Sequence, residues 1–254
     1  MLIGRSKTRG VLYARSIALA LFTGAAFAPP AQADSVVQIT PVLLDLTGPS
    51  AVGVVNFGNQ SQESTTIQVR VFKWRQSNGR ESLEPTEDVV VSPPKAEIAA
   101  GATLSIRVVR TAQAPITGED SYRLVIDQLP QARDSGRAMV AMLLRQVLPL
   151  FFASAERSNP SVAWSIARVD GKLALLARNG GDRRLRISKV TLTGSGGGSV
   201  TLGGSLLGYV LGHSQMSWTI PAKSGSFAVG SRVSIRGQSD IGPISAVASD
   251  APAP

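Results

Sequence analysis

Thr65-Thr66-Ile67-Gln68-Val69-Arg70-Val71-Phe72-Lys73-Trp74 alternates with a period of two. Ile67, Val69 and Val71 fall on one parity, and Thr66, Gln68, Arg70 and Phe72 on the other. A β-strand sends successive side chains to opposite faces, so this pattern predicts a strand with one face in a core. Ser77-Asn78-Gly79 follows as a tight turn. The same grammar repeats outward. Upstream, Val36 to Leu46 is extended, and Ala51 to Phe57 is an apolar run closed by Gly58-Asn59. Downstream come Val89 to Val91, Thr103 to Val109 after the Ala100-Gly101 turn, Tyr122 to Leu129, and the longest run, Ala138 to Phe152. Short strands between turn residues, with no helical period, predict an all-β chain built from sandwiches.

Ala153 to Ser161 is polar, contains Pro160 and lacks periodicity, so it reads as a linker. Strands resume at Val162 to Val169, turn at Asp170-Gly171, and continue through Lys172 to Arg178, Leu185 to Leu192, Val200 to Leu202, Ser217 to Ile220 and Arg232 to Arg236. Gly194 to Gly204 reads as a flexible loop and Ala246 to Pro254 as a frayed tail.

The chain opens with Arg5, Lys7, Arg9 and Arg15, then the short apolar run Ser16 to Ala28 and the small-x-small site Ala31-Gln32-Ala33. This is the pattern of a cleaved secretory leader, 1–33. Residues 34–153 and 154–254 then make two domains of about 100 residues each. Met139 to Phe152 is interrupted by Arg145, Gln146 and Pro149, so no membrane insertion is expected after cleavage. The formal charge of +9 includes the four leader cations, which leaves +5 for residues 34–254. Without a Lys/Arg stripe interleaved with aromatics, nucleic acid is not the expected partner. There is no cysteine and a single histidine, His213. No HExxH, GxSxG or CxxC pattern occurs, and the carboxylates are scattered singly, so neither catalysis, a metal site nor a cofactor is expected.

Ala138-Met139-Val140-Ala141-Met142-Leu143-Leu144 is apolar on both parities. Such a strand is either central and covered on both faces, or it keeps an edge for a partner's strand. If the hairpin between Tyr122–Leu129 and Ala138–Phe152 centres near Asp134, Arg123 faces Arg145. Two facing cations call for an anion between them, or else reach solvent and local acids such as Asp127.

An ordered set of segments resembles the PapD-like periplasmic chaperones of chaperone–usher pili. They are Ile39-Thr40-Pro41-Val42, Ser92-Pro93-Pro94, Ile98-Ala99-Ala100-Gly101, Ile106-Arg107-Val108, Tyr122-Arg123-Leu124, Asp127-Gln128-Leu129-Pro130 and Leu150-Phe151-Phe152. The second half matches loosely, through Leu173 to Asn179. The resemblance implies two immunoglobulin-like domains in a boomerang arrangement. It also implies a periplasmic chaperone that stabilises pilus subunits by lending them a strand and delivers them to an outer-membrane usher.

The family's donor positions fall on Ala138, Val140, Met142 and Leu144, with Met139, Ala141 and Leu143 then facing the chain's own core. The best-known branch holds the subunit's C-terminal carboxylate with cations at the positions of Pro41 and Pro149. It ties its domains by an ion pair at the positions of Ala153 and Gln128. None of these four residues can do so here. The chain therefore resembles the archaic class, with Arg123 and Arg145 as the expected carboxylate anchor. Pilin subunits and an usher are the implied partners; a self-capping homodimer stays open. The rival readings are a secreted β-sandwich binding or adhesin module and, less favoured, a pilus subunit.

Overall fold

The computed structural model describes residues 37–130, 143–221, 227, 229 and 231–250. Every regular element among them is a β-strand. The expected leader and three of the four expected donor residues, Ala138, Val140 and Met142, lie outside the described residues.

The first half comprises β1 (Val37–Thr40), β2 (Leu44–Thr47), β3 (Val52–Asn59), β4 (Thr65–Ser77), β5 (Arg80–Pro85), β6 (Val89–Ser92), β7 (Lys95–Ile98), β8 (Thr103–Arg110), β9 (Glu119–Leu129) and β10 (Arg145–Ala153). One sheet runs β1-β3-β8-β6; the other runs β2-β10-β9-β4-β5, with β7 also on β4. The stretch read as one extended segment, Val36 to Leu46, is two strands. β1 pairs with β3 in the first sheet, and β2 pairs in parallel with β10 in the second. Pro41 stands between them and has no N–H for a ladder, which suits a crossing from one sheet to the other.

The core follows the alternation. Ile67 and Val69 of β4 are buried with Val55, Phe57, Ile106, Leu124 and Leu150. Asn78 and Gly79 take left-handed φ of 52° and 73°, the geometry of a two-residue hairpin, and join β4 to β5. Trp74 breaks the parity: it lies on the outward face of β4 and is still buried, because residues of the second half cover it.

The second half comprises β11 (Val162–Val169), β12 (Lys172–Asn179), β13 (Leu185–Gly194), β14 (Ser199–Val210), β15 (Gln215–Thr219), β16 (Val233–Ser239) and β17 (Gly242–Asp250). Their order is β14-β13-β16-β17-β11-β12-β15, around a core of Trp164, Leu175, Ile187, Leu192, Val210 and Ile235. Each half also buries one asparagine that ties strand ends together. The Asn59 amide donates to the carbonyls of Glu63, Ile98 and Ala99, and the Asn179 amide to those of Arg183, Val210 and Leu211.

Two sequence expectations are corrected here. Residues 203 and 204 are not loop: the strand read at Val200 to Leu202 is the start of β14, which runs on through the glycines, with Leu202 paired to Val190 and buried. Glycine lowers strand propensity, but the apolar residues between the glycines have a core to fill, and packing decides. Ala246 to Asp250 is not a frayed tail. It forms β17, antiparallel to β16 and parallel to β11 at Ser165↔Ser249.

Candidate functional site

β10 pairs with β9 along its whole length, from Arg145↔Asp127 to Ala153↔Glu119. On its other side β2 covers only Leu150 to Ala153. Among the described residues, Arg145 to Pro149 thus present an open main-chain edge. Leu144 extends the pairing with β9: its carbonyl accepts the Gln128 N–H at 3.0 Å, and its N–H donates to the Gln128 side-chain oxygen at 3.1 Å.

Parity along this strand is set by its buried end. Leu148, Leu150 and Phe152 face the core, and half-buried Leu144 is in phase with them. Leu143 and Val147 alternate outward, 49% and 44% exposed. The expectation that Leu143 faces the chain's own core is therefore reversed, since a period of two counted back from Leu148 puts Leu144 inward. Leu144 is the one expected donor residue with a described position. It continues the inward apolar row beyond the paired strand.

The expected facing of Arg123 and Arg145 does not occur. Arg145 meets Asp127, and Arg123 meets Pro149, four residues further along β9. The offset avoids like-charge repulsion. Arg145 donates to Asp127 Oδ1, and Arg70 donates to Asp127 Oδ2 at 2.6 Å. Burial pushes the Asp127 carboxyl upward, but the hydrogen bonds from Arg145 and Arg70 outweigh it and hold the carboxyl below its ordinary value. Arg145 is thus engaged with a neighbour of its own, away from the junction of the two halves.

Arg123 does sit at that junction. Its guanidinium lies 3.5 Å from the Trp74 ring centroid and 5.8 Å from that of Tyr209, a residue of the second half. Its side chain is 16% exposed, and Glu81 Oε2 stands 3.8 Å from Nη2, outside hydrogen-bond reach. Burial lowers the Arg123 pKa, with Glu81 opposing.

The surrounding contacts were not readable from the sequence. Trp74, Phe151, Tyr209 and Leu211 form a separate apolar cluster, in which Trp74 and Tyr209 meet edge-to-face at 5.5 Å. The Gln76 amide nitrogen donates to the Tyr209 carbonyl, and its oxygen accepts the Leu211 N–H, both at 2.9 Å. The Ser217 hydroxyl reaches the Gly79 carbonyl at 2.9 Å.

Arg184 of the second half donates to Glu119 at 2.6 Å and to Asp45 at 2.7 Å, with its guanidinium over Phe151. The side chains of Arg184 and Glu119 are only 2% and 1% exposed. Burial pushes the Glu119 carboxyl up, and Arg184 opposes this. A cleft of about 530 Å³ lies between the halves, lined by Lys73, Trp74, Gln76, Glu119, Leu211 and Gly212 among others.

His213 binds Asp182 through Nε2 at 2.7 Å, while the other Asp182 oxygen accepts from the Ser158 amide and hydroxyl. The carboxylate, not the imidazole, meets the serine, so the three do not form a nucleophile–base pair. Among the described residues no group of three or more His, Cys, Asp or Glu side chains converges as a metal site.

Residues 36–156 match the family model described as "Pili and flagellar-assembly chaperone, PapD N-terminal domain". No curated protein matches the chain significantly by sequence. Among solved structures, a chain of the CsuC–CsuE chaperone–tip adhesion subunit pre-assembly complex, from the archaic chaperone–usher Csu pili of Acinetobacter baumannii, is similar with a TM-score of 0.68 at 23% identity. The match covers 86% of this chain and 100% of that one. The Salmonella enterica structure of SafA pilin with the SafB chaperone is similar at 0.58 and 16% identity, covering 83% and 95%. The E. coli chaperone DraB follows at 0.54 and 16%, covering 83% and 97%. Residues 36–156 thus match a PapD-type N-terminal domain, and the chain has the all-β, PapD-like fold of two immunoglobulin-like domains over both halves.

Proposed function

We propose that this protein is a periplasmic chaperone for pilus subunits, exported by its leader 1–33 and working through domains 34–153 and 154–254. The observation that carries the reading is the open edge of β10, paired with β9 throughout but with β2 only from Leu150 onward. An open main-chain edge invites strand addition, and its use here is the completion of another sandwich. An incomplete subunit carries unpaired main-chain groups and an uncovered groove. Strand addition along 138–149 answers the first, at about 1 kcal/mol net per hydrogen bond. Ala138, Val140, Met142 and Leu144, which share in the sequence the parity of Leu148 and Leu150, answer the second. Burial of the larger ones contributes about 1.5–3 kcal/mol each. Arg123 is the cation for the subunit's terminal carboxylate, held at the junction by Trp74. Arg145 serves β10 itself through Asp127. Transfer to an usher then proceeds by strand exchange, with no nucleotide.

The test is co-expression with pilin-like reading frames from the same locus. The wild-type protein is expected to purify with a subunit as a one-to-one complex. Met142→Asp is expected to lose the subunit while its unfolding midpoint stays unchanged. A folded Met142→Asp protein that still carries the subunit sinks the donor-strand reading.

A further inference from the structure

We infer that Glu81 is a stand-in anion for the Arg123 guanidinium, setting how tightly a partner's terminal carboxylate is held; this rests on the anchor reading above. Arg123 has one face of its guanidinium against Trp74 at 3.5 Å, which leaves its edges to take an anion. The described carboxylate nearest those edges belongs to Glu81, whose Oε2 is 3.8 Å from Nη2. That oxygen is not placed by chance. It accepts the indole N–H of Trp74 at 2.9 Å, so the ring that cradles the cation also aims its counter-ion.

The backbone fixes the same arrangement from below. Glu81 is paired with Gln76 across the β4–β5 hairpin, and Gln76 is bonded on both amide atoms to the second half. Glu81 is 50% exposed and can swing away; Arg123 at 16% cannot. A carboxylate arriving at the guanidinium edge meets Glu81 as a like charge beside the same cation. Glu81 keeps the buried cation compensated while the site is empty and yields when the terminus docks. The chemical class of ligand is a free C-terminal carboxylate on an extended chain, discriminated from a neutral chain end.

The experiment uses the full chain and two synthetic forms of one peptide, the C-terminal strand of a subunit captured by co-expression, made as the free acid and as the C-terminal amide. Affinities are measured by calorimetry for wild type and Glu81→Gln, a change that keeps an acceptor for the Trp74 N–H. The expected result is a free acid bound about five- to tenfold more tightly by Glu81→Gln than by wild type, with the amide unchanged. Free-acid affinity that is equal or weaker in the variant overturns the inference, as does an equal gain for the amide. If wild type itself does not prefer the acid, the anchor reading fails and this inference falls with it. A preference that persists unaltered in Glu81→Gln leaves the anchor standing and removes Glu81 alone.

Discussion

Replacing Arg184 by methionine removes the buried cation shared by buried Glu119 and half-buried Asp45. Glu119, 1% exposed, loses its partner at 2.6 Å, and Asp45 loses its partner at 2.7 Å. Methionine fills a similar volume over Phe151, so the dominant effect is a buried carboxylate left with Arg157, 3.7 Å away, as its remaining cation. Breaking one side of such a pair costs about 3–5 kcal/mol, against about 0–1 for an exposed pair. The lower end is expected, because Arg157 stays beside Glu119 and burial already pushes its carboxyl up, which makes the neutral form easier to reach.

That escape has a pH signature. With Glu119 raised above its unfolded value of 4.5, the folded variant binds a proton that the unfolded chain releases. Its stability then increases as pH falls toward 4.5, so the penalty is smaller at about pH 5 than at about pH 7.5. The assay is urea unfolding followed by tryptophan fluorescence, with Trp74 reporting the junction. Glu119→Gln combined with Arg184→Met is expected to recover about half of the loss, since it removes the stranded charge and keeps the hydrogen-bonding atoms. A penalty below about 1 kcal/mol, or a double variant no better than the single one, refutes the view that these residues lock the halves together.

Arg123→Ala is expected to weaken binding of a subunit's free C-terminus by about tenfold or more while leaving a C-terminally truncated subunit unaffected, as read by calorimetry on both. Equal affinities of wild type and variant for the intact subunit contradict the anchor. For Asp127 the sign is opposite to that of Glu119. Its folded pKa is depressed, so its pairing with Arg145 and Arg70 contributes stability above the unfolded value of 3.8 and loses it as pH falls through the lower folded value. Unfolding midpoints measured between about pH 6 and pH 3 should fall more steeply for wild type than for Asp127→Asn; parallel curves contradict this.

Elements with one wet and one dry face were legible because burial writes a period of two into the chain. β4 is the clearest case, and its alternation holds until Trp74, where a second partner covers the outer face. β5 escaped because Arg-Glu-Ser-Leu-Glu-Pro is exposed along its whole length: a strand held by main-chain bonds and polar side chains leaves no apolar signature. β17 and the second part of β14 escaped because glycine, alanine and serine dominate their composition, although β13 and β16 supply the core that orders them.

Register was the weakest inference. The offset that sends Arg145 to Asp127 depends on how the chain turns between Leu129 and Leu143, which no local residue pattern specifies. Arg184 lay beyond sequence reasoning altogether. Its partners are Glu119 and Asp45, on strands far away in the chain, and only the packing of the two halves brings them within reach.

The register also explains how this chain dispenses with the charges it lacks. In the best-known branch of the family it resembles, cations occupy the positions of Pro149 and Ala153 on β10. Here the cross-strand neighbours of those two residues are Arg123 and Glu119. Opposite residues on one face of an antiparallel pair have Cβ atoms only about 5 Å apart. A charge moved from β10 to β9 at the same level therefore still reaches the junction. Arg123 brings its charge there beside Pro149, and Glu119 supplies the carboxylate to which Arg184 answers from the second half.

Proline is tolerated at position 149 because β10 is an edge strand up to that residue, with β2 joining only at Leu150. Having no N–H, Pro149 also offers an added strand no donor at that point. On the proposed reading, a subunit strand laid along the open edge runs out of main-chain partners at the residue that faces Arg123. The end of the ladder and the cation for the chain terminus coincide, so β10 can set the register of its guest without carrying a charge of its own.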